Sequence, residues 1–363
     1  MNILVDAHIF DDKHQGSRTY LKGLYGALIK QAPEWNFYFV AQDVENLKNE
    51  FGNGFKNVTY LPLRASNKFY RLLVELPRLI KKYDIDYSHF QYTMPPIKCG
   101  KYIVTIHDNL FAQKEFKHYF PIKKRVVNHF LHRVSGQRAD VLLTVSEFSK
   151  QKLHEIYNIA NDRIFVTPNG IDPIFYEKKD LASPVDTKYI LYVSRIEPRK
   201  NHLMLLRAFV ETKLYKDYKL VFIGKNDIPT PEMERYIKEH KNLLADRLLR
   251  VENISTTELM AYYQNCALFV FPSFAEGFGI PPIEAMALGA KVLVSNATAM
   301  SDFELSESQM FDPKNLEALK AKLISQIKND TRSSQGYEQI LSRYHWESIA
   351  RDFKLLIENH QNQ

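Results

Sequence analysis

Two carboxylates, Glu276 and Glu284, stand eight positions apart around a turn that contains Gly277 and Gly279 and runs into two prolines. The run Phe274-Ala275-Glu276-Gly277-Phe278-Gly279-Ile280-Pro281-Pro282-Ile283-Glu284 reads as a loop entering a helix opened by proline. The prolines carry no N–H, so the donors near the helix start fall to Gly277, Phe278, Gly279 and Ile280, whose amides can point at a ligand's oxygens. The glycines allow close backbone approach and positive φ. Glu284 is expected in the first helical turn, where the dipole favours its ionised form, and Glu276 in the loop before it, so that both face one pocket. An ordinary strand-to-helix connection explains the turn but does not require the glutamate pair.

A second group follows the apolar run 189–194: Arg195-Ile196-Glu197-Pro198-Arg199-Lys200-Asn201-His202. The guanidinium fork of Arg195 matches phosphate geometry and the Lys200 ammonium adds a mobile charge. Together they can hold a diphosphate and stabilise it as a leaving group, unless the loop is merely basic and solvated. In the first half, Gly16, Ser17 and Arg18 precede a helix expected from Thr19, and amides there suit an anion. A single glycine is thin for a phosphate cradle, and a plain N-terminal turn is an equal alternative. His107 and Asp108 follow the run 102–106; such a histidine is structural more often than catalytic, but its place at a strand end favours a role. Ser146 and Ser149 are both expected to cap the helix after them.

These groups need a scaffold that brings strand ends together. Apolar runs at 3–5, 37–41, 58–61, 102–106 and 141–145 alternate with amphipathic segments at 19–31 and 68–82, the pattern of a parallel α/β sheet. The cluster Pro168-Asn169-Gly170-Ile171-Asp172 ends that series, and 177–188 is irregular enough to be a linker. A second series has runs at 189–194, 219–224, 248–251, 267–272 and 291–295, with helices around 203–212, 231–244 and 256–264. Two Rossmann-like halves result, each expected to bind ligand beyond the carboxyl ends of its strands.

The 363 residues, 45% hydrophobic and 25% charged, fit two folded domains of about 150–200 residues each. A balance of 49 basic against 42 acidic residues gives +7 and favours anionic partners. Cys99 and Cys266 have neither metal-ligand spacing nor a disulfide framework, and Met1 runs straight into a strand pattern without a signal or membrane-spanning segment. A cytoplasmic protein is expected, with attachment to a membrane face left open. In 116–138, Lys117, Lys123, Lys124, Arg125, Arg133 and Arg138 interleave with apolar residues and no acid. A core-packed helix with a solvated basic face is the favoured reading, and a helix resting on an anionic membrane the other. No nucleic-acid motif accompanies it, so nucleic acid is not expected as a partner.

With these residues in place, the chain resembles the retaining glycosyltransferases of the GT-B fold, in the large family-four group that includes many bacterial mannosyltransferases. Glu276 and Glu284 look like the family's glutamate pair, and the segment from Arg195 to Asn201 looks like its donor-phosphate loop. The cluster at 168–172, Thr105-Ile106-His107-Asp108 and the segment from Ser146 to Ser149 agree in order and spacing. The resemblance implies two Rossmann-like domains facing a central cleft. The first is an acceptor-side domain at 1–170, with a C-terminal helix at 346–363 packing back on it; the second, at 171–345, binds the nucleotide sugar.

By the same resemblance Glu276, with the amides of Gly277, Phe278, Gly279 and Ile280, holds the donor sugar, and Glu284 the ribose hydroxyls. Arg195 and Lys200 grip the diphosphate, His107 lies over the sugar, and Gly16, Ser17 and Arg18 lie near the phosphates. Ser194 stands where many members have glycine, and 297–303 lacks the usual proline-glutamate pair, which leaves Asp302 or Glu304 as substitutes for a base or ribose contact. The implied reaction moves a hexose, mannose from GDP-mannose as first choice, to a saccharide or lipid-linked acceptor in surface polysaccharide or glycolipid synthesis. It keeps the anomeric configuration and needs no metal or cofactor besides the donor substrate. The rivals are a sugar-nucleotide epimerase or hydrolase on the same fold, and a basic binding protein without chemistry.

Overall fold

The structure is a computed structural model that describes residues 1–11, 16–64, 67–177, 179–329 and 336–362. Residues 12–15 of the loop before Gly16, and residue 178 of the expected linker, lie outside the described residues. The chain divides into two compact units, Met1–Gly170 with Arg343–Gln363, and Ile171–Ser342.

In the first unit, strands β1 (Asn2–Asp6), β2 (Asn36–Ala41), β3 (Val58–Pro62), β4 (Tyr87–Gln91), β5 (Lys101–Thr105), β6 (Val141–Thr144) and β7 (Ile164–Val166) form one sheet in the order β3-β2-β1-β4-β5-β6-β7. Every pairing is parallel. Ile3, Leu4 and Val5 are fully buried, as expected of a central strand covered on both faces. β4 has no such apolar run: its Ser88, His89 and Gln91 are buried polar residues, and the sequence pattern passes over it.

The helix Gly16–Gln31 carries Gly23, where an added Cβ would overlap the ring of Trp346 from the helix Trp346–Gln361. Gly170 meets the same ring. The absence of two side chains therefore makes the slot into which the C-terminal helix docks. Segment 68–82 is not one regular helix: a π-helical turn, Arg71–Glu75, separates Lys68–Tyr70 from Leu76–Lys82.

The helix Ile122–Arg138 overturns the favoured reading of a core-packed apolar face. Its buried residues are His132, Ser135 and Gly136, whereas Ile122, Val126, Val127 and Phe130 are exposed.

In the second unit, β8 (Tyr189–Val193), β9 (Lys219–Ile223), β10 (Leu248–Val251), β11 (Leu268–Phe271), β12 (Val292–Ser295) and β13 (Met310–Phe311) lie in the order β10-β9-β8-β11-β12-β13. These pairings are also parallel. Ile190, Leu191, Tyr192 and the whole of β11 are buried, each large apolar side chain contributing about 1.5–3 kcal/mol. The strand order reverses between β8 and β11, the place where open parallel sheets leave a crevice for a ligand.

Candidate active site

Two loops meet at that reversal. After β8 the chain enters a single turn, Pro198–Lys200, and is stopped by Asn201 at φ +60, a left-handed conformation that asparagine tolerates. The Asn201 amide donates to the carbonyls of Pro272 (3.1 Å) and Pro313 (3.0 Å), and the Tyr192 hydroxyl donates to the Lys200 carbonyl (2.7 Å). After β11, Ser273 starts the loop that holds Glu276, and the Phe274 N–H donates to the Arg199 carbonyl (3.0 Å). The second loop is thus bonded to the first.

Glu276 is the centre of the cluster. The Lys200 ammonium lies 2.5 Å from its Oε1 and Arg199 Nη1 lies 3.2 Å from its Oε2. The Ser273 hydroxyl donates to Oε1 at 2.7 Å, and the Glu276 N–H donates to Thr298 Oγ1 at 2.9 Å. Burial by itself raises the pKa of this carboxyl, but the charges of Lys200 and Arg199 and the hydrogen bonds from Lys200 and Ser273 outweigh it and hold it at about 2. Burial lowers the pKa of Lys200, against the pull of Glu276. Arg199 also binds Glu197 at 2.5 Å and donates to the Ala275 carbonyl. The arrangement is a buried, ionised carboxylate with two cations beside it.

Glu284 has different neighbours. The helix is Ile280–Ala287, and Glu284 is its fifth residue, so no acid lies in the first turn. Burial raises its pKa to about 7, and the Asp172 charge adds to this against the hydrogen bond from Tyr263 (2.9 Å). The expectation of an acid ionised by the helix dipole is therefore corrected: burial wins, because the dipole acts over the first turn only. Of the glycine pair, Gly279 takes the positive φ (+112) and is the N-cap. Pro281 and Pro282 lack N–H, so the first turn offers few donors.

Arg195 is not engaged with Lys200. Its side chain is 58% exposed and pairs with Asp227 at 2.8 Å, while Arg199 occupies the place beside Lys200 and Glu276. An arginine four positions later is the one that the turn Pro198–Lys200 swings inward.

In the first unit, His107 follows β5 and is buried. Its Nε2–H donates to Gln91 Oε1 at 2.6 Å, and its carbonyl accepts from the Ser149 hydroxyl at 3.2 Å. The Gln91 amide reaches His89 Nε2 (3.3 Å), and His89 also contacts Thr105 (2.7 Å) and Tyr25 (2.8 Å). Burial lowers both histidines to about 3, so each is neutral at neutral pH. Ser146 is the N-cap of the helix Glu147–Tyr157, its Oγ accepting the Ser149 N–H at 3.1 Å. Ser149 is not a cap; its hydroxyl holds the His107 backbone.

The helix expected from Thr19 begins at Gly16. Among the described residues nothing lies within 4 Å of a Cβ added at Gly16; Ser17 is buried, and Arg18 is engaged by Glu50 (2.8 Å) and lies over the Phe10 ring. Arg18 therefore does not stand uncommitted at the helix start. Gln91, Arg199, Ser273 and Thr298 escape the sequence reading. Of these, Arg199, Ser273 and Thr298 carried a signal, being polar residues shortly after a strand end.

The chain matches two family descriptions in succession: Glycosyltransferase Family 4 over residues 15–175 and Glycosyl transferases group 1 over residues 174–342. Over 197 residues, 51% of its length, it is 32% identical to the serotype-specific mannosyltransferase WbdA of Escherichia coli, of which the match spans only 24%. It is 27% identical over 357 residues to the O-antigen chain mannosyltransferase B of Escherichia coli, covering 86% of this chain and 90% of that one. The structure of a glycosyltransferase from Rickettsia africae superposes with a TM-score of 0.73 at 19% identity, covering 98% of this chain and 97% of the other. The chain belongs to the group 1 glycosyltransferases and has their two-domain α/β GT-B fold.

Proposed function

We propose that this member of the group 1 glycosyltransferases moves a hexose from a nucleotide diphosphate sugar to an acceptor hydroxyl and keeps the anomeric configuration. Mannose carried by GDP is the first choice of donor, because the relatives of Escherichia coli are named as mannosyltransferases. A saccharide or lipid-linked precursor of a surface polysaccharide is the acceptor, reached from the cytoplasmic side.

One observation carries this reading: a buried carboxylate held ionised by two cations at the β8/β11 reversal. Glu276, with the backbone of Gly277, Phe278, Gly279 and Ile280, holds the sugar hydroxyls. Lys200 exchanges part of its hold on Glu276 for the donor diphosphate, and Arg199 supports it from the side. Arg195, exposed at the same strand end, contributes a further phosphate contact when it leaves Asp227. As the anomeric C–O bond to phosphate breaks, negative charge accumulates on the leaving diphosphate, and these cations stabilise it without a divalent metal. The departing phosphate oxygen takes the acceptor's proton while the acceptor oxygen bonds to the anomeric carbon.

Glu284 takes the ribose diol. His107, neutral and fixed by Gln91 and Ser149, serves the sugar as a hydrogen-bonding and packing group, because a histidine with a pKa near 3 is a poor proton acceptor at neutral pH. Among the described residues nothing near Gly16 requires a glycine for space, which favours close approach of a ligand phosphate to Gly16 and Ser17.

The test is a thermal-shift screen of GDP, UDP, dTDP and ADP, followed by transfer assays with the matching sugars and NMR of the product anomer. The expected result is a stabilising nucleotide whose sugar is transferred with retention, lost in Glu276→Gln while nucleotide diphosphate still binds. Donor turnover that needs no acceptor would turn the assignment to a hydrolase or epimerase, and an inverted product would remove the retaining mechanism.

A further inference from the structure

The helix Ile122–Arg138 is amphipathic with its sides exchanged. The face toward the protein is polar or small: His132, Ser135 and Gly136 are buried. The His132 ring stacks on Tyr92 at 5.2 Å and meets the edge of Phe111 at 5.0 Å. A Cβ at Gly136 would come within 2.8 Å of Ile159, before β7, and 3.5 Å of Leu142 on β6, so this end of the helix is closely seated. The opposite face carries Ile122, Val126 and Phe130 at i, i+4, i+8 spacing, with Val127 beside them; they are 70%, 66%, 65% and 55% exposed. Lys123, Lys124 and Arg133 are exposed around that stripe.

Large apolar side chains in water along one stripe of a well-seated helix mark a surface that something covers. Charge says what covers it. From residue 116 to residue 139 the chain has six Lys and Arg and no Asp or Glu. The neighbouring segment continues the pattern: Phe69 and Tyr70 are 70% and 47% exposed, and the charge of Lys68 acts on His132. At about 1.5 Å per residue the helix is on the order of 25 Å long. It is too charged to span a bilayer, and among the described residues no helix is long and apolar enough to do so.

We propose that this face lies in the plane of an anionic lipid bilayer, with Ile122, Val126, Val127 and Phe130 among the upper acyl chains and Lys123, Lys124 and Arg133 on the lipid phosphates. Apolar insertion supplies the hold and the basic ring selects the acidic surface. The inference stands on this helix and the neighbouring Lys68–Tyr70 turn and is independent of the donor and sugar assigned above.

The experiment is co-sedimentation of the full chain with vesicles of phosphatidylglycerol and phosphatidylcholine, against pure phosphatidylcholine vesicles. Expected is binding to the anionic vesicles, weakened by salt, and at least about tenfold weaker binding to the neutral ones. A Val126→Glu, Phe130→Glu variant should lose at least about tenfold of the binding with an unchanged thermal midpoint, both positions being exposed. A Phe130→Trp variant should show an emission blue shift with anionic vesicles only. Equal partition of wild type and double variant, or no partition, overturns the proposal. So does light scattering that shows a dimer abolished by the double variant, which would assign the face to a second copy of this chain.

Discussion

The Lys200 ammonium lies 2.5 Å from the Glu276 carboxylate, and each side chain is only 11% exposed. A buried pair of this kind costs much to break from one side, because the remaining charge has no water to replace its partner. Glu276→Ala should therefore lower stability by about 3 kcal/mol in denaturant unfolding. Lys200→Met combined with Glu276→Gln should be less unstable than the two single changes summed, with a coupling of about 1–3 kcal/mol. Additive effects would show that the pair is not coupled in solution.

Glu284 makes stability depend on pH in the direction opposite to Glu276. Its folded pKa of about 7 lies above the ordinary glutamate value, so the folded state binds the proton more tightly. The protonated form is favoured fully at low pH, and stability is lost as pH rises from about 4.5 to about 7, by at most about 3 kcal/mol. Glu284→Gln should flatten the thermal midpoint over that window. If the ionised carboxylate binds the ribose diol, nucleotide affinity in calorimetry should rise between pH 6 and 8 in the wild type and not in Glu284→Gln.

Gln91 fixes which nitrogen of His107 carries the proton, since its Oε1 only accepts. Gln91→Leu should remove that preference and cost about 1–3 kcal/mol of stability by leaving a buried N–H without an acceptor. Nitrogen-15 shifts of His107 should report the Nε2–H tautomer in the wild type and a mixture in the variant. The second unit should bind nucleotide diphosphate unaltered in that variant.

The docking slot for Trp346 is made of two missing side chains. Gly23→Val should destabilise the first unit by about 1–3 kcal/mol through overpacking, and Trp346→Ala by about 3–5 kcal/mol through the cavity left behind. Calorimetry that resolves the two units should show the loss in one transition and not the other.

The two parallel sheets were legible because most of their strands are short runs of apolar residues, and burial on both faces demands such runs. β4 was not, because Ser88, His89 and Gln91 break its pattern; partners on other elements, Tyr25, Thr105 and His107, satisfy two of them, and a linear sequence does not display such partners. The strand ends that carry Lys200 and Glu276 could be located, but not their partners. The inward arginine is Arg199 because Asn201 and the turn before it set the direction of each side chain, and that direction depends on the carbonyls of Pro272 and Pro313. For Glu284 the charge state was misread because its depth in the helix and the wall formed with Tyr263 are tertiary facts. In Ile122–Arg138 the composition was visible and its orientation was not, since helical spacing shows where the apolar stripe runs but not that His132, Ser135 and Gly136 are the side that packs on the protein.

Trp346 also bears on how the chain is made. Its ring rests against Gly23, from the first helix of the chain, and against Gly170, the last residue before the chain leaves for Ile171–Ser342. On the ribosome the site beside Gly23 therefore stays without its Trp346 partner until the whole of Ile171–Ser342 has been synthesised and the helix Trp346–Gln361 has followed it. The second unit, continuous in sequence, has no such delay. The later unit can thus close before the earlier one, and a chain cut before Trp346 would hold a finished insert within an unfinished host.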